Sequence, residues 1–323
     1  MTITDLRARS RAPLRPLARL LLAAAVTAGA GLAGCRREAA PPPREFDGQA
    51  AFRYAERQMS FGPRIPGTDG HRRMAEWLEQ ELRGKADTLI VQRWTHVTRQ
   101  GDSLPLVNFV ARFNPHASER ILYLAHWDTR PRSTEVKTSA DSLKPVPGAN
   151  DGASGVAVLL ALADVLKKTP PAIGVDLLFD DGEDYGLFEG EKEDVLIGAR
   201  YYANHLPPGG APKFAVLWDM VGDRNLQLFQ EQNSLLAAPD VVQLVWGTAE
   251  QLGYRTYFIP QPKWSVIDDH VELQKVGIPA IDVLDFDYPW WHTPDDTIDK
   301  ISAQSLQIVG DVAAAVIRKQ GGK

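Results

Sequence analysis

Apolar residues recur every three to four positions at 48–59 and again at 70–82, the spacing of helices that each bury one face. Between them, Phe61-Gly62-Pro63-Arg64-Ile65-Pro66-Gly67 is dense in turn formers and predicts a loop. Short apolar runs at 88–94, 106–113, 121–125, 174–179, 214–220 and 280–284 predict strands. Helical spacing returns at 153–168, 197–205, 239–252 and 302–318. Strands that alternate with helices predict an α/β fold whose largely parallel sheet is covered on both faces. No repeat, low-complexity tract or second linker interrupts the pattern from Phe46 onward, so residues 46–323 are expected to form one domain.

The first 35 residues stand outside that pattern. Arg7, Arg9, Arg11, Arg15 and Arg19 precede an acid-free apolar run from Leu20 to Ala33, the layout of a signal peptide. The run is shorter than the roughly 20 residues a membrane-spanning helix needs. It ends in Leu32-Ala33-Gly34-Cys35, which resembles a bacterial lipobox and implies a lipid on Cys35. An exported protein anchored to the cell envelope is therefore expected. Arg36 stands where an aspartate often accompanies inner-membrane retention, which favours the periplasmic face of the outer membrane. Residues 36–45, with Pro41, Pro42 and Pro43, read as a stiff tether.

Composition changes this picture in two ways. Cys35 is the only cysteine, so the mature domain can form no internal disulfide even in an oxidising compartment. The leader carries a formal +4 of a chain whose net charge is −5, which leaves the mature part at −9. So acidic a domain argues against nucleic-acid binding and against a broad basic membrane patch.

In a parallel sheet, ligands bind beyond the carboxyl ends of the strands, so the polar residues that end the apolar runs are the ones to inspect. The run at 121–125 leads into His126-Trp127-Asp128, and the run at 174–179 into Asp180-Asp181-Gly182-Glu183-Asp184. Two more runs reach Asp219 and, after residue 284, Trp291-His292; Asp268-Asp269-His270 forms a further cluster. Asp151 stands just before the helix at 153–168, where a helix cap is the competing role. Carboxylates and imidazoles gathered at one sheet edge repel as bare charges, which a divalent cation would relieve. The mixed nitrogen and oxygen donor set suits zinc.

The ordered segments LAHWDT, GANDGASG, LLFDDGEDYG, LWDMVGD, IDDH and WWHT resemble the zinc-dependent aminopeptidase superfamily that includes the animal-type glutaminyl cyclases. The likeness runs from about Phe46 to the C-terminus. It implies a three-layer α/β/α sandwich around a mixed, mostly parallel sheet, and a peptide or protein N-terminus as substrate; a monomer is expected, although the sequence leaves the oligomeric state open. In the cyclase pattern one zinc sits on Asp151, Asp184 and His292. Glu183 moves protons, Asp219 and Asp268 share a short hydrogen bond and orient the substrate amine, and Trp291 lines the pocket. In the aminopeptidase pattern there are two zinc ions, one on His126 and Asp219 and the other on Asp184 and His292, with Asp151 bridging. His126 and Asp128 otherwise form a supporting network, and His270 either lines the pocket or supports it from behind. An acid at Asp268, together with FGPRIPGT, NFVARFNP and PWWHT, resembles the cyclases, which convert N-terminal glutamine to pyroglutamate with release of ammonia.

Two departures accompany the resemblance: Glu183-Asp184 replaces a pair of glutamates, and Ala125 replaces a disulfide-forming cysteine. The competing readings are a two-zinc aminopeptidase and a non-enzymatic envelope lipoprotein that binds a ligand. His71, His96, His116 and His205 are expected to be solvated side chains, and the Arg64 loop and the segment 130–146 are expected near the cleft.

Overall fold

The computed structural model describes residues 44–188 and 194–322. The expected signal peptide, Cys35 and the expected tether up to residue 43 lie outside the described residues. Of the tether, Arg44 and Glu45 run against the last helix, where they face Asp311 and Arg318. Among the described residues no helix is long and apolar enough to cross a membrane.

The chain begins with helices α1 (Gly48–Met59) and α2 (Asp69–Lys85), followed by strands β1 (Thr88–Val97), β2 (Ser103–Phe113) and β3 (Arg120–His126). Helix α3 (Ala153–Lys168), strand β4 (Gly174–Asp180), helix α4 (Ile197–Asn204) and strand β5 (Ala215–Asp219) come next. The last third contains β6 (Leu228–Gln230), α5 (Gln232–Ala237), α6 (Pro239–Gln251), β7 (Phe258–Pro262), α7 (Asp269–Lys275), β8 (Ala280–Leu284) and α8 (Ala303–Gln320). Six strands make one mixed sheet in the order β1-β2-β4-β3-β5-β8. The β1, β2 and β4 neighbours are antiparallel; β4, β3, β5 and β8 are parallel.

Side chains alternate across a strand, so a sheet covered twice needs apolar residues at every position. In β3, Ile121, Tyr123 and Ala125 enter the core that also holds Val156, Leu160, Val309 and Val312 from α3 and α8. Leu122 and Leu124 point the other way, into a core with Tyr202 from α4 and Leu273 from α7. These two cores are the two seams of a three-layer α/β/α sandwich. Helix α3 approaches β5 so closely that a Cβ on Gly155 would stand 2.0 Å from the Trp218 carbonyl oxygen, which only glycine permits there.

Four strands in parallel put His126, Asp180, Asp219 and Leu284 at one edge of the sheet; His126 is in register with Asp180 and Asp219 with Leu284. Two histidine expectations fail. His71 is buried, stacked on Trp127 at 4.3 Å, with Nε2 2.9 Å from Asp181 Oδ1. His96 lies on β1, partly buried, with Nε2 2.7 Å from Asp194. Arg64 does not border open solvent; it is buried and donates to the carbonyl oxygens of Trp127, Pro147 and Gly148, which ties together two loops at the sheet edge.

Candidate active site

Each turn at the sheet edge is fixed from behind before it presents its acid. Asp128 accepts the backbone N–H groups of Glu183 at 3.1 Å and Asp184 at 3.2 Å, so the β3 end sets where the β4 end points. Asp296 accepts from the backbone of Asn150 at 2.9 Å and Asp151 at 3.1 Å, and Tyr288 donates to it at 2.6 Å. Helix α3 is preceded by Gly152 at φ 91° with no side-chain cap, so the Asp151 carboxylate is not a helix cap. A Cβ on Gly152 would stand 2.9 Å from the Asp128 carbonyl oxygen and 3.1 Å from the His126 ring, so glycine is required by both conformation and space.

With its loop so held, Asp151 turns one oxygen to each of two buried groups. Its Oδ1 is 3.1 Å from His126 Nε2, which is also 3.3 Å from Asp219 Oδ1. Its Oδ2 is 3.6 Å from His292 Nε2, which is also 3.4 Å from Asp184 Oδ1. His126-Asp151-Asp219 and Asp151-Asp184-His292 are thus two triads that meet at one carboxylate.

These residues fit a metal on their own geometry. Ligand atoms on a tetrahedral zinc with bonds near 2.0 Å lie about 3.3 Å apart, close to the 3.1, 3.3, 3.6 and 3.4 Å between the two histidines and their carboxylates. His126 Nε2, Asp151 Oδ2 and Asp184 Oδ2 are buried without a hydrogen-bond partner, a cost that a cation would remove. The His292 ring is also oriented through its other nitrogen, Nδ1 at 3.1 Å from the Thr134 hydroxyl, whereas His126 Nδ1 lies 3.4 Å from Asp128 without a hydrogen bond. Thr134 and Glu135 further donate backbone N–H groups to the His292 carbonyl oxygen. Among the described residues four non-glycine residues have left-handed φ, and two of them, His292 at 53° and Met220 at 46°, line the cavity; such strain gathers at functional sites.

The cavity has a volume of about 230 Å³ and is walled by Asp151, Glu183, Asp219, Asp268, Trp291 and His292, with Phe286 and Leu284 as apolar neighbours. Protonation differs around it. Burial, reinforced by Asp184 and Asp268 against the pull of His126, raises the Glu183 carboxyl well above the usual range. Burial and then the Asp219 charge do the same to Asp268, and burial raises Asp219 against the pull of His126. Asp184 is the exception: burial would raise it, but His292 and the Arg130 guanidinium lower it. His126 is desolvated, yet Glu183 and three aspartates raise it well above an ordinary imidazole.

The candidate residues named from the sequence are therefore brought together, with two corrections. His270 does not line the cavity; it is wholly buried, with Nε2 3.4 Å from Glu231 and Nδ1 3.9 Å from Asp282. Asp268 is affected by Asp219 through charge, and its carboxylate accepts the backbone N–H of Asp269 at 2.6 Å rather than forming the expected short bond to Asp219. The structure adds residues that the sequence did not single out. Arg130 is buried and hydrogen-bonded to Asp184, and Asp296 and Thr134 support the site.

Comparison with known proteins agrees with this geometry. Residues 108–317, well over half the chain, match Peptidase family M28. Aminopeptidase YwaD of Bacillus subtilis is 29% identical over 72% of this chain, but the match spans only 47% of that longer protein. The Glutaminyl-peptide cyclotransferase of Drosophila melanogaster is 26% identical over 76% of this chain and 75% of its own length. Among solved structures, a Tannerella forsythia glutaminyl cyclase superposes with TM-score 0.81 at 36% identity, covering 84% of this chain and 98% of that one. A Zn-dependent exopeptidase from Parabacteroides distasonis superposes with TM-score 0.82 at 33% identity, with the same coverage.

Proposed function

The chain belongs to peptidase family M28, and from that premise we propose that it cyclises the N-terminal glutamine of peptides to pyroglutamate. The α-amine nitrogen bonds to the side-chain amide carbon, the original amide C–N bond breaks, and ammonia leaves. Asp151, Asp184 and His292 would hold one zinc ion. What a bound zinc supplies is polarisation of the side-chain amide carbonyl.

The chain's own residues do the rest. Glu183 faces the cavity with a carboxyl raised toward the working pH, suited to taking a proton from the attacking amine and giving it to the departing nitrogen. Asp219 and Asp268 accept hydrogen bonds from the amine and fix its direction. Trp291, stacked 4.0 Å over His292, and Phe286 wall the pocket and exclude water that would otherwise compete with the amine.

The observation that carries this reading is Asp268. It lines the same cavity as Asp219 and is raised well above an ordinary aspartate. A carboxyl biased toward its neutral form beside Asp219 disfavours a second cation on that half of the site. The 36% identity to a bacterial glutaminyl cyclase supports the same reading. The two-zinc aminopeptidase reading is supported by a different observation, the intact triad His126-Asp151-Asp219 with Asp151 facing both ways.

One assay separates them. With a Gln-initiated peptide, ammonia release without loss of the first residue is expected. Free glutamine appearing without ammonia would reject the cyclase.

A further inference from the structure

Beside the acid-walled cavity lies a larger one of about 610 Å³, formed by the segment that follows β3. The two share Phe188, Trp291 and His292, so they are neighbouring chambers of one trough with these side chains between them. Their charges are opposite. The first is walled by four carboxylates and no lysine or arginine. The second is lined by Arg130, Arg132 and Lys137 against a single carboxylate, Glu135, among the described residues. Arg130 is committed to Asp184, whereas Arg132 and Lys137 are exposed and able to meet a ligand.

This segment is coupled to the site rather than loosely draped over it. Thr134 and Glu135 donate to the backbone of His292, the Thr134 hydroxyl meets the His292 ring, and Ser133 is bonded to the Lys144 carbonyl oxygen. A ligand in the second chamber therefore sits against a wall fixed relative to the first.

We propose that the second chamber binds a carboxylate of the peptide just beyond its first residue, so that the enzyme prefers dipolar N-termini with an amine at one end and an acid close behind. The amine and first side chain occupy the acid-walled cavity, the chain passes Trp291, and the carboxylate meets Arg132 and Lys137. The carboxylate comes either from an acidic second side chain or from the free C-terminus of a dipeptide. This selection rests on the proposed function only in putting the first residue in the acid-walled cavity; it does not depend on which bond that site makes.

The test uses the folded mature chain with Glu183→Gln, so that peptides bind without turnover, and reads affinity by calorimetry. One arm compares Gln-Glu-Ala-amide, Gln-Ala-Ala-amide and Gln-Lys-Ala-amide; the other compares Gln-Ala with its amide. A carboxylate is expected to tighten binding roughly three- to tenfold over its neutral counterpart, as two exposed cations allow, with the lysine peptide weakest. Adding Arg132→Ala and Lys137→Ala, or raising salt toward 0.5 M, should bring all peptides to within about twofold. A gain in one arm alone supports the proposal and identifies the source of the carboxylate. Equal affinities in both arms, or a preference that survives the double substitution, would overturn it. The same peptides with leucine first, followed with the unsubstituted enzyme for ammonia and free leucine, separate the two ideas. An acid preference in leucine release with no ammonia from the glutamine series discards the cyclase and keeps the chamber.

Discussion

The two triads around Asp151 have the same kinds of donor at the same spacing, yet they sit in different electrostatic surroundings. On one side, Asp184 is lowered because His292 and Arg130 outweigh burial. A carboxylate kept ionised there is ready for a cation. On the other side, Asp219 and Asp268 are raised by burial. Behind them Asp282, Asp180 and Asp269 are also buried and raised, chiefly by burial, and none of their carboxylate oxygens has a hydrogen-bond partner among the described residues. Burial biases the carboxyls of that half toward their neutral forms. Donor type and distance alone would give both halves a metal; the difference lies in the residues one layer back, Arg130 on one side and a stack of carboxyls on the other.

The largest effect is expected at Glu183, which touches both halves, 3.7 Å from His126 and next in sequence to Asp184. Glu183→Gln should lower kcat by about 10³-fold, within the range for a lost acid–base group, with zinc content unchanged by elemental analysis. Retained turnover would remove Glu183 from the chemistry.

The next effect breaks the comparison directly. His292→Ala should weaken zinc binding by roughly 100-fold or more, whereas His126→Ala should weaken it by less than about tenfold, the low end for an outer partner. Competition with a chromogenic chelator reads both. Equal losses would mean that the halves are alike.

A smaller effect concerns the support under the Asp184 side. His71 pairs with buried Asp181, three residues before Asp184, so His71→Ala should cost about 2 kcal/mol at pH 6, as an unpartnered buried polar group does. His71 is raised despite desolvation because Asp181 holds its proton. Its contribution is therefore complete below the unfolded value near pH 6.5 and declines as pH rises through the folded value. Asp181 is raised to about 6, chiefly by burial, so its folded form also binds the extra proton and stability falls further as pH rises toward 6. Denaturant titrations of both proteins across pH 5 to 9 should show the gap narrowing at the alkaline end; a widening gap would contradict the assignment.

The fold was legible because strands buried on both faces become unbroken apolar runs, as in ILYLA of β3 and VDLLF of β4, where only Asp176 interrupts. The small sheet of β6 and β7 was missed: its strands span three and five residues, and the second contains two prolines. Helix α7, DHVELQK, is short and largely charged, so its pattern carries little signal until the acids are seen to be buried. The strand-end rule found Asp151's partners because parallel strands force their ends together. It could not find Arg130, Thr134 or Asp296, single polar residues in loops whose roles come from tertiary contacts. His71 was discoverable: it shares the spacing of Met74, Leu78 and Leu82 on the buried face of α2.

Zinc per chain is the most direct measure of the difference between the halves. Purified protein, equilibrated with excess zinc and then freed of loosely bound ions, should retain close to one equivalent by elemental mass spectrometry, and His126→Ala should retain the same. Two equivalents in the unsubstituted chain, falling to one in His126→Ala, would show that both triads carry metal and contradict the assignment of protons to one of them.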